Sequence, residues 1–147
     1  MIDVSADVEI LAEPTDIAAV MFDPHRDPDW VKAVHTVEVI DPGIKPGARV
    51  RRTGALLGQA VSWTTEVVSF QFPHVLELRV TDGPFIGTVV YQVGRSAGGA
   101  IARIRNVGEI GAPGIQPEST VAGPMRAALA ADLARLKVLI EQEQASR

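Results

Sequence analysis

Arg52 is the one ionised side chain that strand alternation sends toward an apolar face in this sequence, where Thr65, Ser69, Tyr91 and Asn106 are its polar company. A buried guanidinium without a partner is costly, so Arg52 must be paired, hydrogen-bonded or able to reach water. No Asp or Glu in the strands points the same way. The missing partner is then a ligand carboxylate, phosphate or polarised carbonyl, bidentate in the first two cases. In the other reading Arg52 lies near a strand end and snorkels to solvent past Thr65. A few polar groups converging on an apolar wall are the composition of a small-molecule pocket, and a satisfied polar spot in a large core has the same composition.

Other chemistries are poorly supplied. His25, His35 and His74 match no metal-ligand spacing, and no metal site is expected. The absence of cysteine excludes disulfides, thiolate nucleophiles and cysteine-ligated metals. No serine sits in a G-x-S-x-G elbow. The glycine-rich run GRSAGGA lies in a hairpin and opens no helix, so it makes no phosphate loop. No cofactor is expected, and the catalytic residues of any reaction stay unassigned.

Placing Arg52, Thr65, Tyr91 and Asn106 on one face takes a sheet, and most of the chain has the pattern for one. Residues 2–10 alternate apolar and polar with a period of two, as a half-buried first strand does. Pro14, Asp23-Pro24 and Asp27-Pro28 then punctuate two short helices, the second carrying Trp30, which reads as a plug between those helices and the sheet. Val37, Val39 and Ile40 mark a second strand, ended by Asp41-Pro42-Gly43 and Lys45-Pro46-Gly47.

From Ala48 onward, consecutive antiparallel strands can be registered by keeping one face apolar. A Gly58-Gln59 turn sets Leu57 opposite Ala60, Gly54 opposite Trp63, Arg52 opposite Thr65 and Arg51 opposite Glu66. The next hairpin sets Phe70 opposite Val75 and Arg79 opposite Glu66, giving an Arg51–Glu66–Arg79 row on the wet face. Trp63, Leu76, Leu78, Val80, Val89, Tyr91, Ile104 and Asn106 fall on the inner face. Trp63, across from a glycine, either packs the core or borders a cavity. Gly111-Ala112-Pro113-Gly114 ends the sheet.

The stretch from about Pro117 to Glu143 has unbroken helical periodicity. Val121, Met125, Leu129, Leu133, Leu136 and Ile140 form one apolar stripe, flanked by small residues Ala127, Ala131 and Ala134 that are expected to face the core. Asp132 with Arg135, and Lys137 with Glu141, are expected to pair on the wet side. Pro124 either starts this helix or kinks one begun near Pro117.

At 147 residues the chain is long enough to bury roughly 70% of its unfolded surface, and residues 1–147 are read as a single ligand-binding domain. A net charge of −4 argues against a nucleic-acid surface, and Arg49, Arg51, Arg103 and Arg105 read as a solvated outer face. No apolar run approaches the roughly 20 residues of a membrane span. The first residues show no signal-peptide core, and the expected location is cytoplasmic.

Three segments resemble one known family: EPTDIAAVMFDPHRDPDW (residues 13–30), PGIKPGARVRR (42–52) and AALAADLARLKVLIE (127–141). They are similar to the START-like (SRPBCC) superfamily, specifically its polyketide cyclase/dehydrase and lipid transport proteins. The resemblance implies an α+β helix-grip fold. In that fold a seven-stranded antiparallel sheet wraps a long C-terminal helix, with two short helices between strands 1 and 2. It also implies an internal cavity for a hydrophobic small molecule of lipid, polyketide or isoprenoid type. The expected lining is Arg52, Thr65, Trp63, Leu78, Tyr91, Ile104, Asn106, Met125 and Leu129. The function expected is binding or transport, the alternative a cyclase/dehydratase-type enzyme acting in the same cavity, and the protein a monomer or homodimer.

Overall fold

The computed structural model describes residues 1–56, 58–110 and 118–147. Strand β1 (Ile2–Ile10) is followed by α1 (Pro14–Met21), a 3-10 turn (Pro24–Arg26) and the one-turn helix α2 (Asp27–Trp30). Six strands follow: β2 (Val34–Val39), β3 (Arg49–Leu56), β4 (Gln59–Gln71), β5 (Val75–Asp82), β6 (Phe85–Ser96) and β7 (Gly99–Ile110). Helix α3 (Glu118–Ala145) completes the chain. The strands form one seven-stranded sheet in the order β1-β7-β6-β5-β4-β3-β2. Every pairing is antiparallel. With α3 against β1, β7 and the short helices, this is the expected helix grip.

The apolar stripe of α3 organises the core. Leu129, Leu133, Leu136 and Ile140 are buried among Ile2, Val4, Ile10, Ile17 and Met21. The small-residue flank does not join them: Ala127, Ala131 and Ala134 are exposed, as is Val138, so α3 is gripped along one stripe and wet beyond it. Pro124 lies inside the helix. The Gly111–Gly114 turn and Pro117 fall outside the described residues.

The sheet faces follow the alternation, but two registers differ from expectation. In the β3–β4 hairpin Leu56 pairs with Gln59, so Gly58 (φ 78°) comes last in the connection instead of first. Ala60 therefore pairs with Ala55, and the expected partner Leu57 is outside the described residues. Arg52 pairs with Trp63, Gly54 with Val61 and Arg51 with Thr64. A slip of two residues leaves every side chain on its expected face and changes only its neighbour across the ladder. Glu66 consequently stands between Arg49 and Arg79, with Arg79 Nη1 at 3.3 Å, while Arg51 donates to Ser62 Oγ at 3.1 Å.

In β4–β5 a register shift between Val67 and Ser69 sets Phe70 opposite Leu76 and Ser69 opposite Glu77, yet returns Glu66 opposite Arg79. The extra residue in β4 turns Phe70 inward and Ser69 outward, a bulge that simple alternation misses. Gly54 has a local cause of its own. A Cβ there would lie 1.6 Å from the Ala33 carbonyl oxygen, so only glycine lets the chain leaving α2 cross so close to β3.

Candidate functional site

Arg52, on the inner face of β3, is 7% exposed. Its Nε donates to Asp27 Oδ2 at 2.6 Å, and its Nη1 donates to Thr65 Oγ1 at 2.6 Å. Asp27 is the first residue of α2 and is 2% exposed. The partner of Arg52 is therefore internal, and the guanidinium neither waits for a ligand anion nor snorkels to solvent. Strand alternation does not reveal Asp27, because α2 supplies it. The Asp27-Pro28 pair, read as punctuation, is where a short helix lowers a carboxylate onto the sheet. Burial pushes the Asp27 carboxyl above the usual aspartate range, and the adjacent Arg52 guanidinium pulls it part of the way back.

Two cavities open between the sheet and the helices. One, of about 190 Å³, is lined by Phe22, His25, Ile44, Val50, Arg52, Thr65, Val67, Leu76 and Leu78 among others. The second, of about 210 Å³, is lined by Leu56, Trp63, Val80, Phe85, Val89, Asn106, Met125, Leu129 and Asp132 among others. The two linings share no residue. Each central strand is divided the same way. On β4, Thr65 and Val67 face the first cavity and Trp63 the second; on β5, Leu76 and Leu78 face the first and Val80 the second.

The nine expected lining residues are thus split. Arg52, Thr65 and Leu78 lie on the first cavity, and Trp63, Asn106, Met125 and Leu129 on the second. Tyr91 and Ile104 line neither. They pair across β6 and β7, and Tyr91 stacks on Phe22 (centroids 6.2 Å apart) and meets Trp30 edge-on at 6.0 Å. Burial holds the Tyr91 phenol far above its ordinary pKa, so it stays neutral. Trp30 is 1% exposed, and its indole nitrogen is buried with no hydrogen-bond partner among the described residues. It is the plug expected between the short helices and the sheet.

Asp132 is a buried carboxyl on the cavity wall that the α3 pattern read as wet. It pairs with Arg135 as expected, but it is 9% exposed and lies on the wall of the second cavity. Its Oδ1 also accepts the Lys32 backbone N–H at 3.2 Å. Burial pushes its carboxyl up, against the opposing pull of that N–H and of Arg135. The signal was present: residues 125, 129, 132 and 136 share one helix face at spacings of four, three and four. Among the described residues no group of His, Cys, Asp or Glu could hold a metal ion. His25 sits beside Asp23, and His74 contacts the Val93 carbonyl. No helix among them is long and apolar enough to cross a membrane.

The second cavity has a mostly apolar wall with few polar groups, a composition that suits a small apolar molecule. Its walls are aromatic and aliphatic, and among the described residues its polar side chains are Asn106 and Asp132, beside the Trp63 indole. The first cavity has the paired Arg52 and Thr65 on its wall, beside His25 and Asp23.

Comparison with known proteins agrees on the fold. The protein TTHA0849 from Thermus thermophilus superposes with a TM-score of 0.81 at 17% identity, over 96% of this chain and 98% of that one. DR_A0006 from Deinococcus radiodurans has a TM-score of 0.70 at 21% identity, over 99% of both chains. DynU16, from the dynemicin biosynthetic locus, has a TM-score of 0.71 at 18% identity, over 95% of this chain and 47% of its own. No curated protein matches the chain in sequence. A sequence model described as polyketide cyclase / dehydrase and lipid transport matches residues 1–141, and the chain belongs to that family.

Proposed function

We propose that this protein binds a small apolar molecule between its sheet and α3, with the second cavity as the principal site. The observation that carries this reading is the second cavity's wall: Trp63, Val80, Phe85, Val89, Met125 and Leu129 around about 210 Å³, with Asn106 and Asp132 as its polar side chains among the described residues. Family membership supports the same ligand class, since the family's description covers lipids and polyketides. The volume lies below the roughly 300 Å³ at which drug-sized pockets begin, which favours a mono- or bicyclic ligand over a long acyl chain. The test is a titration with the neutral bicyclic fluorophore 6-propionyl-2-dimethylaminonaphthalene, in the wild type and in Met125→Trp, which fills the cavity. Saturable enhancement in the wild type that is lost in a folded Met125→Trp supports the reading. Equal enhancement in both places the probe elsewhere.

A second reading is a cyclase/dehydratase-type reaction on the same bound molecule. Asp132 favours it: a carboxyl with a raised pKa on an apolar wall can exchange protons with a ligand held against it. No histidine lines that cavity among the described residues, so Asp132 would carry the acid–base work. Loss of turnover in Asp132→Asn at saturating ligand would separate catalysis from binding.

A further inference from the structure

We infer that the polar end of the second cavity is a receptor for a hydroxyl group, so that its ligand is a neutral, hydroxyl-bearing cyclic molecule rather than a carboxylate or a phosphate. The inference rests on the proposal that this cavity binds a ligand.

Three observations carry it. The first is the free face of Asp132. Its Oδ1 is occupied by the Lys32 N–H and by Arg135 Nη2, while Oδ2 accepts no hydrogen bond among the described residues. The Asp132 side chain is only 13% exposed and lines this cavity, so Oδ2 keeps vacant lone pairs on a largely dry group. The second is Asn106. Its carboxamide is on the same cavity wall, and its fully buried Oδ1 has no hydrogen-bond partner among the described residues. Buried polar groups are normally satisfied, so two side chains with unpartnered polar atoms on one cavity wall call for a polar group from the ligand. A hydroxyl that donates to Asp132 Oδ2 and accepts from the Asn106 amide nitrogen suits the pair.

The third observation concerns charge. Among the described residues Asp132 is the one ionisable side chain on this wall, and no Lys, Arg or His lines it. Arg52, the buried cation nearest in the strand order, faces the first cavity and is held by Asp27. An anionic ligand would meet a carboxylate in an apolar surround, with no cation to offset it. A cationic ligand gains less than it would from a lone carboxylate, because Arg135 already balances Asp132. A neutral donor escapes both penalties.

The test uses four probes of nearly one size: 2-naphthol, its isostere 2-methylnaphthalene, 2-naphthoate and 2-naphthylmethylammonium. Affinities are read from the shift of the Trp63 indole resonance, with that of Trp30 as an internal reference. The expected result is that 2-naphthol binds about tenfold or more tightly than 2-methylnaphthalene, since a hydrogen bond to a charged acceptor is stronger than a neutral one. 2-Naphthoate should bind weakest. Asp132→Asn and Asn106→Leu should each shrink the naphthol preference severalfold, read as the ratio of the 2-naphthol and 2-methylnaphthalene affinities within the same variant. Equal binding of 2-naphthol and 2-methylnaphthalene, or a preference untouched by Asp132→Asn, overturns the hydroxyl receptor and leaves cavity binding standing. Tightest binding of 2-naphthoate or of 2-naphthylmethylammonium overturns it equally. Failure of all four probes removes the cavity reading, and this inference with it.

Discussion

Asp27 and Arg52 form a buried ion pair, Oδ2 to Nε 2.6 Å, whose side chains are 3% and 8% exposed. It ties a one-turn helix to the inner face of β3, one strand in from the edge of the sheet, with Arg52 on the wall of the first cavity. Thr65 completes it by accepting from Nη1. A buried pair of this kind is weak evidence of stability in itself, because desolvation offsets much of the attraction. Its consequence is positional: α2 is held where Trp30 meets Tyr91 edge-on.

Breaking that pair from either side should therefore be expensive. Arg52→Met or Asp27→Leu leaves a buried charge without its partner, at a cost of about 3–5 kcal/mol. The double variant should be more stable than either single one, because it removes both charges. Urea unfolding of the three variants checks this. Single variants within about 0.5 kcal/mol of the wild type would mean that the pair is solvated.

Helix α3 should be integral to the fold. Leu133 and Leu136 are fully buried, and Leu→Ala at either should cost about 2–5 kcal/mol. Ala131→Ser and Ala134→Ser, on the exposed flank, should stay within about 0.5 kcal/mol. A comparison of denaturation midpoints decides. Equal losses on both faces would contradict the single-stripe grip.

Much of this was legible in the residues, and the exceptions have physical causes. The inner face could be read because strand alternation survives a two-residue slip, which is why Trp63, Leu78 and Asn106 face inward although the β3–β4 ladder is displaced. Neighbours across the ladder do not survive such a slip, so the Arg51–Glu66 pairing was lost. The bulge near Val67 leaves no mark on a hydrophobic pattern that reads well on either side of it. Asp27 was hidden because the partner of a strand residue came from a helix 25 positions away. Asp132 was legible by its spacing to Leu129 and Leu136, but its match with Arg135 pointed to a wet surface.

The pH dependence of stability should carry the mark of Asp132. Its folded pKa lies above the ordinary aspartate value, so the folded state holds that proton more tightly than the unfolded state does. The resulting stability is fully present below the unfolded pKa and is lost as pH rises through the folded one. Asp132→Asn lacks this linkage, so its stability relative to the wild type should rise between pH 4 and pH 7. Urea midpoints of both proteins at those two pH values test it. A relative fall over that interval would mean that the carboxyl is stabilised as the anion.

The central claim, that an apolar molecule enters the space under the sheet, is tested most directly by mapping where one binds. Methyl resonances followed through a titration with 2-methylnaphthalene should shift saturably, with one-to-one stoichiometry, at Val80, Val89, Met125 and Leu129, which line the second cavity. Leu11, Ile86, Ile101 and Val138, which are exposed apolar side chains, should stay still. Shifts confined to those exposed residues, with the cavity methyls unmoved, would contradict the account.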